Sequence, residues 1–133
     1  MDGMKHTPKK TKAGGVILRY DLAVPHVLLI IEKDGSFGFP KGKVKKQETY
    51  EQAALRECSE ESGIRNLPRG KDLGAFAVKR DFIHFFMYQL SGKIQYTVPE
   101  EAIRWLTVSQ ASERLSDEQA NILQCALHRI KQP

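Results

Sequence analysis

Apolar residues along the chain fall into two strand-like runs, a polar interval, a helix-period segment, two more strand-like runs and a second helix-period segment. Residues 13–20 (AGGVILRY) and 26–32 (HVLLIIE) are rich in branched residues and predict strands, with Asp21–Pro25 as the turn between them. Their near-continuous apolar character predicts burial on both faces. Lys33–Lys46 carries Gly35, Gly38, Pro40 and Gly42 and reads as a structured loop. From Thr49 the period changes to that of a helix over 49–62. Thr49 and Gln52 form a T-x-x-Q capping box, Glu51 suits the positive first turn, and Gly63 suits the left-handed position after the last turn. Ala54, Leu55 and Cys58 are expected to face the sheet.

Residues 73–80 (LGAFAVKR) and 82–90 (FIHFFMYQL) predict a hairpin, with Phe85, Phe86 and Tyr88 alternating between core and surface. A short strand over 104–108 and a helical turn from Ser109 follow. The last helix has Ser116 as N-cap, Gln119 as its capping-box partner, and the stripe Ile122, Leu123, Ala126, Leu127 and Ile130. His128 and Arg129 suit its negative end. This order predicts the α/β class: a central mixed sheet with helices on both faces, an α/β/α sandwich.

The 133 residues suit one domain over 12–133, long enough to bury a core without disulfides, preceded by a flexible basic tail at 1–11. The lysines Lys5, Lys9, Lys10 and Lys12 read as a solvated terminus. The first residues lack the apolar segment of a signal peptide, and no apolar run has the length of a membrane span. Cys58 and Cys125 lack CxxC or Cys/His ligand spacing and read as reduced thiols, which points to the cytoplasm.

Charge adds the informative contradiction. Lys and Arg total 21 against 16 Asp and Glu, a net +5. That balance favours anionic partners without choosing among nucleotide, nucleic acid and inositol phosphate. Yet Glu57, Glu60 and Glu61 are spaced i, i+3 and i+4 on one helical face, where each like-charged pair repels by roughly 0.2–0.5 kcal/mol. A hard divalent cation resolves the conflict: Mg²⁺ or Mn²⁺ takes oxygen ligands, keeps several waters and bridges carboxylates to phosphate. No His/Cys cluster invites zinc. Arg56 is placed to orient Glu57 by a charge-assisted hydrogen bond. Upstream, FGFPKGK can offer main-chain carbonyls to a metal and the ammonium groups of Lys41 and Lys43 to phosphate.

The segment 42–64, GKVKKQETYEQAALRECSEESGI, resembles the box of the Nudix hydrolases, G-x5-E-x7-R-E-U-x-E-E-x-G-U, where U is bulky and apolar. Gly42, Glu48, Arg56, Glu57, Glu60, Glu61, Gly63 and Ile64 fall in register, and Cys58 stands at the first U position. The resemblance implies a Nudix-type fold and metal-dependent hydrolysis of a phosphoanhydride in a nucleoside diphosphate derivative or related polyphosphate. It implies that Glu57, Glu60 and Glu61 bind the metal with the main-chain carbonyl of Lys41, that Arg56 fixes Glu57, and that Glu48 supports the loop. Gly42 and Gly63 would be structural. The general base would be either Glu57 or a loop glutamate, Glu100 or Glu101, with Glu101 carried among the catalytic residues.

FPKGKV and RWLTVSQA are similar to the diadenosine tetraphosphate hydrolase branch, which implies asymmetric cleavage of a dinucleoside tetraphosphate to ATP and AMP. Lys41, Lys43, Lys79 and Arg80 are the candidate phosphate-binding residues. The VKRDFIHFF hairpin is short where that branch tends to carry an aromatic loop that stacks on adenine, so Phe37, Phe39, Phe82 and His84 are the candidate replacements. Lys45, Lys46 and Gln47 replace an acidic, Gly-containing stretch and give the site a basic rim. That rim keeps open a diphosphoinositol polyphosphate or an RNA 5′ end as substrate. A Nudix-like nucleotide-binding module without catalysis is the alternative of a different class.

Overall fold

The computed structural model describes residues 12–130, and the expectation of a basic tail at 1–11 lies outside them. Seven strands form one mixed sheet: β1 (Lys12–Arg19), β2 (His26–Ile31), β3 (Phe37–Gly38), β4 (Lys41–Lys43), β5 (Lys71–Val78), β6 (Asp81–Leu90) and β7 (Ala102–Thr107). The main path runs β3-β2-β1-β6-β5, with β4 paired to β1 and β7 paired to β2. Among the described residues only β1 and β6 run parallel; the other pairings are antiparallel. Helix α1 (Tyr50–Ser62) covers one face, while α2 (Val108–Arg114) and α3 (Asp117–Ile130) serve the other.

Both faces are therefore cores. Val16, Leu18, Val27, Leu29, Phe85 and Met87 point toward α2 and α3. Ile17, Leu28, Ile30, Phe86 and Tyr88 point toward α1. This corrects the expectation that Phe85, Phe86 and Tyr88 alternate between core and surface: the period of two holds, but it alternates between two cores.

Helix α1 begins as expected. The Thr49 hydroxyl accepts from Gln52 N–H, the Gln52 side chain accepts from Thr49 N–H, and Gly63 closes the helix at φ 77°. Its buried face is Ala53, Ala54, Cys58 and Ser62, and Leu55 is 41% exposed, not packed on the sheet. Small side chains allow close approach. A Cβ at Gly15 would strike Cys58 Sγ and the Tyr88 ring, so the strand gives up its own side chain to seat the helix.

The interval 33–46 is not all loop, since β3 and β4 lie within it. Helix α2 starts one residue earlier than expected, capped by Thr107 with Gln110 as reciprocal partner. Ser116 and Gln119 make the expected box before α3: Ser116 Oγ accepts from Gln119 N–H, and Gln119 Oε1 accepts from Ser116 N–H. Among the described residues, no helix is long and apolar enough to cross a membrane. Cys58 and Cys125 are both free thiols.

Candidate active site

The short strand β4 sets the site because its side chains alternate. Lys41 and Lys43 pair with Gly14 and Lys12 of β1, on one face of the sheet, and Gly42 turns to the other. Gly42 sits directly over Glu57 of α1, and any Cβ there would overlap the Glu57 carboxylate. Glycine is needed here for close approach, since the carboxylate fills the place a side chain would take.

Arg56 collects the carboxylates around it. Nε and Nη2 donate to the two oxygens of Glu48 at 2.7 and 3.0 Å. Nη1 donates to Glu57 at 2.9 Å and to Glu60 at 3.3 Å, and Nη2 also donates to the Lys43 carbonyl at 2.9 Å. The fork suits planar guanidinium and no other side chain. Glu48 also accepts Lys45 N–H at 2.8 Å, and with Arg56 beside it its carboxyl is held down at about 2. The Arg56 pKa is raised in turn.

Glu61 behaves differently. Burial pushes its carboxyl up to about 7, the Glu57 and Glu101 charges add to the effect, and the Lys41 N–H, 3.1 Å away, offsets only part of it. A carboxylate held at such a cost, one turn from Glu57, suits a cation binding beside it. Among the described residues no three His, Cys, Asp or Glu side chains converge closely enough to enclose an ion by themselves. Carboxylate oxygens such as those of Glu57, Glu60 and Glu61 are the donor type a hard divalent cation takes.

The loop before β7 closes the end of this ridge. Glu100 N–H and Glu101 N–H donate to the carbonyls of Glu60 and Glu61 at 3.0 and 3.4 Å, so the last turn of α1 is satisfied by this loop. Of the two loop glutamates, Glu101 is the one whose charge acts on Glu61.

On the opposite face a cavity of about 300 Å³ opens between β2–β3, the β5–β6 turn and the α2–α3 junction. Lys41 and Lys79 line it, joined by Glu32, Phe37, Arg114 and Gln119. Lys41 belongs to both regions: its N–H reaches Glu61 and its Nζ reaches Glu32 at 2.9 Å. Lys79 holds a left-handed backbone (φ 56°) at the hairpin tip, with its N–H on Glu118 at 3.3 Å. Arg80, in the two-residue turn between β5 and β6, does not line the cavity. Lys43 stays exposed beyond Lys41.

The four aromatic candidates separate. Phe37 lines the cavity under Arg114, whose guanidinium lies 5.3 Å from the ring centroid. Phe39 is 1% exposed and packs edge-on against Phe85. His84 is stacked between Tyr50 and Phe86, at 4.6 and 5.1 Å, and donates to Asp72 at 2.6 Å. Phe82 shares the α1 side of β6 with His84 and Phe86. Glu32 and Arg114 escaped the sequence reading and Gln119 was read only as a helix cap, because the three lie far apart in the chain and no spacing signal links them.

Residues 9–125 match the sequence profile of the NUDIX domain. The chain belongs to the Nudix family. Its activity class is that of the Nudix pyrophosphohydrolases, which generally use divalent metal, typically Mg²⁺. Solved Nudix structures share the fold at low identity. An Ap4A hydrolase from C. elegans is 22% identical, with a TM-score of 0.69 over 90% of this chain and 96% of that one. A mutT/nudix family protein from Listeria innocua is 21% identical, with a TM-score of 0.73 over 94% and 96%. The NUDIX domain of Shewanella oneidensis NrtR, complexed with ADP ribose, is 17% identical, with a TM-score of 0.72 over 98% and 94%. At these identities the likeness concerns the fold.

Proposed function

We propose that this Nudix protein hydrolyses dinucleoside tetraphosphates asymmetrically, yielding a nucleoside triphosphate and a monophosphate. The observation that carries the reading is Lys41, whose main chain lies against the glutamate ridge while its ammonium group lines the cavity. A polyphosphate laid past Lys41 spans both regions, with Lys79 and Lys43 along its path. Arg80 is not among the residues lining the cavity and is left out of that path.

In this reading Glu57, Glu60 and Glu61 hold the divalent cation with the Lys41 carbonyl, and Arg56 keeps Glu57 and Glu60 oriented from behind. When bound, the cation neutralises phosphate charge and lowers the pKa of a coordinated water. Glu101, beside Glu61, is the candidate to take that water's proton, and Glu57 is the alternative within the helix. Burial of Glu61 favours its protonated form, so a cation binding beside it competes with that proton. The protein acts in this scheme in the cytoplasm.

A substrate panel with Mg²⁺ and product identification tests the reading. Diadenosine tetraphosphate, nucleoside triphosphates, diphosphoinositol phosphates and 5′-triphosphate RNA are compared by kcat/KM. The dinucleotide should lead and give ATP plus AMP. A lead for diphosphoinositol phosphate or RNA would overturn the substrate assignment, and no turnover of any of the four would favour a binding module.

A further inference from the structure

We propose that Glu32 is a specificity-determining residue: its carboxylate, beside the Lys41 ammonium, favours a phosphate inside a chain over one at a chain end. The inference rests on the reading of the chain as a nucleoside polyphosphate hydrolase and gives a reason for its substrate to be capped at both ends.

Lys41 does not enter the cavity as a free cation. Glu32 Oε2 accepts from its Nζ at 2.9 Å, and both side chains are partly buried. Partial burial limits screening, so the charges of the pair act on what binds beside them. The carboxylate is also held in place. Glu32 N–H donates to the Ser36 carbonyl at 2.8 Å, and Gly35 N–H donates to the Glu32 carbonyl at 2.9 Å, so the β2–β3 turn fixes its main chain. Gly38 of β3 leaves the room it needs, since a Cβ there would lie 2.8 Å from Oε2. Gly42 makes way for the Glu57 carboxylate in the same manner. The other two acids of the cavity are engaged elsewhere: Asp34 accepts from Ser36 N–H and Oγ–H, and Asp81 accepts from Lys12. Glu32 is the cavity acid hydrogen-bonded to a cavity lysine.

The charge of the phosphate then decides what Lys41 accepts. An ammonium has three donors, so Lys41 keeps two for a ligand. Two oxygens bonded to one ammonium lie about 4–5 Å apart, and any phosphate on Lys41 meets the Glu32 charge at that range. A phosphate inside a chain has one ionisable oxygen and carries one charge. A phosphate at a chain end has two such oxygens and approaches two charges above pH 7. The Lys41–Glu32 pair has no net charge, so the second charge costs more against it than against a lysine alone. A dinucleoside tetraphosphate has inner phosphates only. A nucleoside triphosphate, a diphosphoinositol phosphate and a 5′-triphosphate RNA each present an end.

Equilibrium binding tests this without relying on turnover. With Mg²⁺ at pH 8, wild type, Glu32→Gln and Glu51→Gln are titrated with two hydrolysis-resistant ligands, difluoromethylene-bridged ATP and its γ-monomethyl ester. The ester takes one charge from the chain end. Glutamine keeps an oxygen for Lys41 and loses the charge. In Glu32→Gln, affinity for the uncapped nucleotide relative to the ester should rise about 10-fold over wild type. Glu51, ion-paired with Arg69 and outside the cavity, gives the same change in net charge, and Glu51→Gln should keep the wild-type ratio. An unchanged ratio in Glu32→Gln, or an equal rise in Glu51→Gln, would overturn the assignment. If wild type cleaves diadenosine tetraphosphate while the Glu32→Gln ratio stays fixed, Glu32 loses this role and the hydrolase reading stands. If the ratio rises as described but no dinucleotide is cleaved, the hydrolase reading fails and the role of Glu32 stands.

Discussion

Arg56 serves five acceptor oxygens at once, and that number separates it from lysine. Its fork holds both oxygens of Glu48 while the third nitrogen reaches Glu57 and Glu60. An ammonium group at the same position satisfies one or two of these contacts and leaves the Glu57 carboxylate to rotate. Arg56→Lys should therefore lower kcat by roughly 10- to 100-fold, the usual effect of losing a group that orients a metal ligand. Phosphate release at saturating substrate, with Mg²⁺ titrated to saturation for each protein, measures it. A kcat within twofold of wild type would show that the fork does not set the ridge. This cluster was legible in the sequence because helical spacing is local: i, i+3 and i+4 place three glutamates on one face without knowledge of the rest of the chain. Phe37, Arg114 and Gln119 were not legible as a group, because only the packing of β3 against the α2–α3 junction brings them together. Gln47 lies between these cases. It belongs to the stretch that replaces an acidic, Gly-containing one, and its φ of 72° is a backbone conformation that favours glycine.

At the scale of elements, the contact between α1 and β1 decides how firmly the ridge is held. Cys58 stands where the Nudix box has a bulky apolar residue, and the structure supplies the reason. The Tyr88 ring and Cys58 Sγ together fill the space over Gly15, and Cys58 is fully buried. A larger side chain has nowhere to go without lifting the helix or turning the tyrosine. Cys58→Leu, a change toward the usual pattern, should cost about 1–3 kcal/mol of stability by denaturant unfolding. A variant as stable as wild type would mean that the helix seats more loosely than the packing indicates. The capping boxes and the long strands were readable because their signals lie within a few residues. β3 and β4 were not, since runs of two and three residues containing Gly38 and Gly42 have no period to detect. Leu55 was misplaced for a related reason. Hydrophobicity marked it as core, but the sheet admits only small side chains along this helix, and Ala53 takes the buried place.

Across the whole molecule, a chain with net charge +5 keeps one partly buried acidic ridge, and Glu61 carries the electrostatic conflict. Its carboxyl shifts from the ordinary 4.5 to about 7 on folding. Because the folded-state value is the higher one, the folded protein binds the proton more tightly. The stability this gives is full below about pH 4.5 and is lost as pH rises through about 7. Metal-free wild type should thus lose stability relative to Glu61→Gln between these values, since the amide is neutral throughout and keeps an oxygen for the Lys41 N–H. Allowing for the part of Glu61 that water still screens, the difference above pH 8 should be about 1–2 kcal/mol in favour of the variant. Titrating groups remote from Glu61 are common to both proteins and cancel in the comparison. Adding Mg²⁺ at pH 8 should raise the Tm of wild type more than that of Glu61→Gln, because a bound cation stabilises the charged ridge only where the charge exists. Parallel Tm curves for the two metal-free proteins from pH 5 to 8.5 would remove Glu61 as the seat of the conflict. An equal Mg²⁺ shift in both would remove it from the metal site.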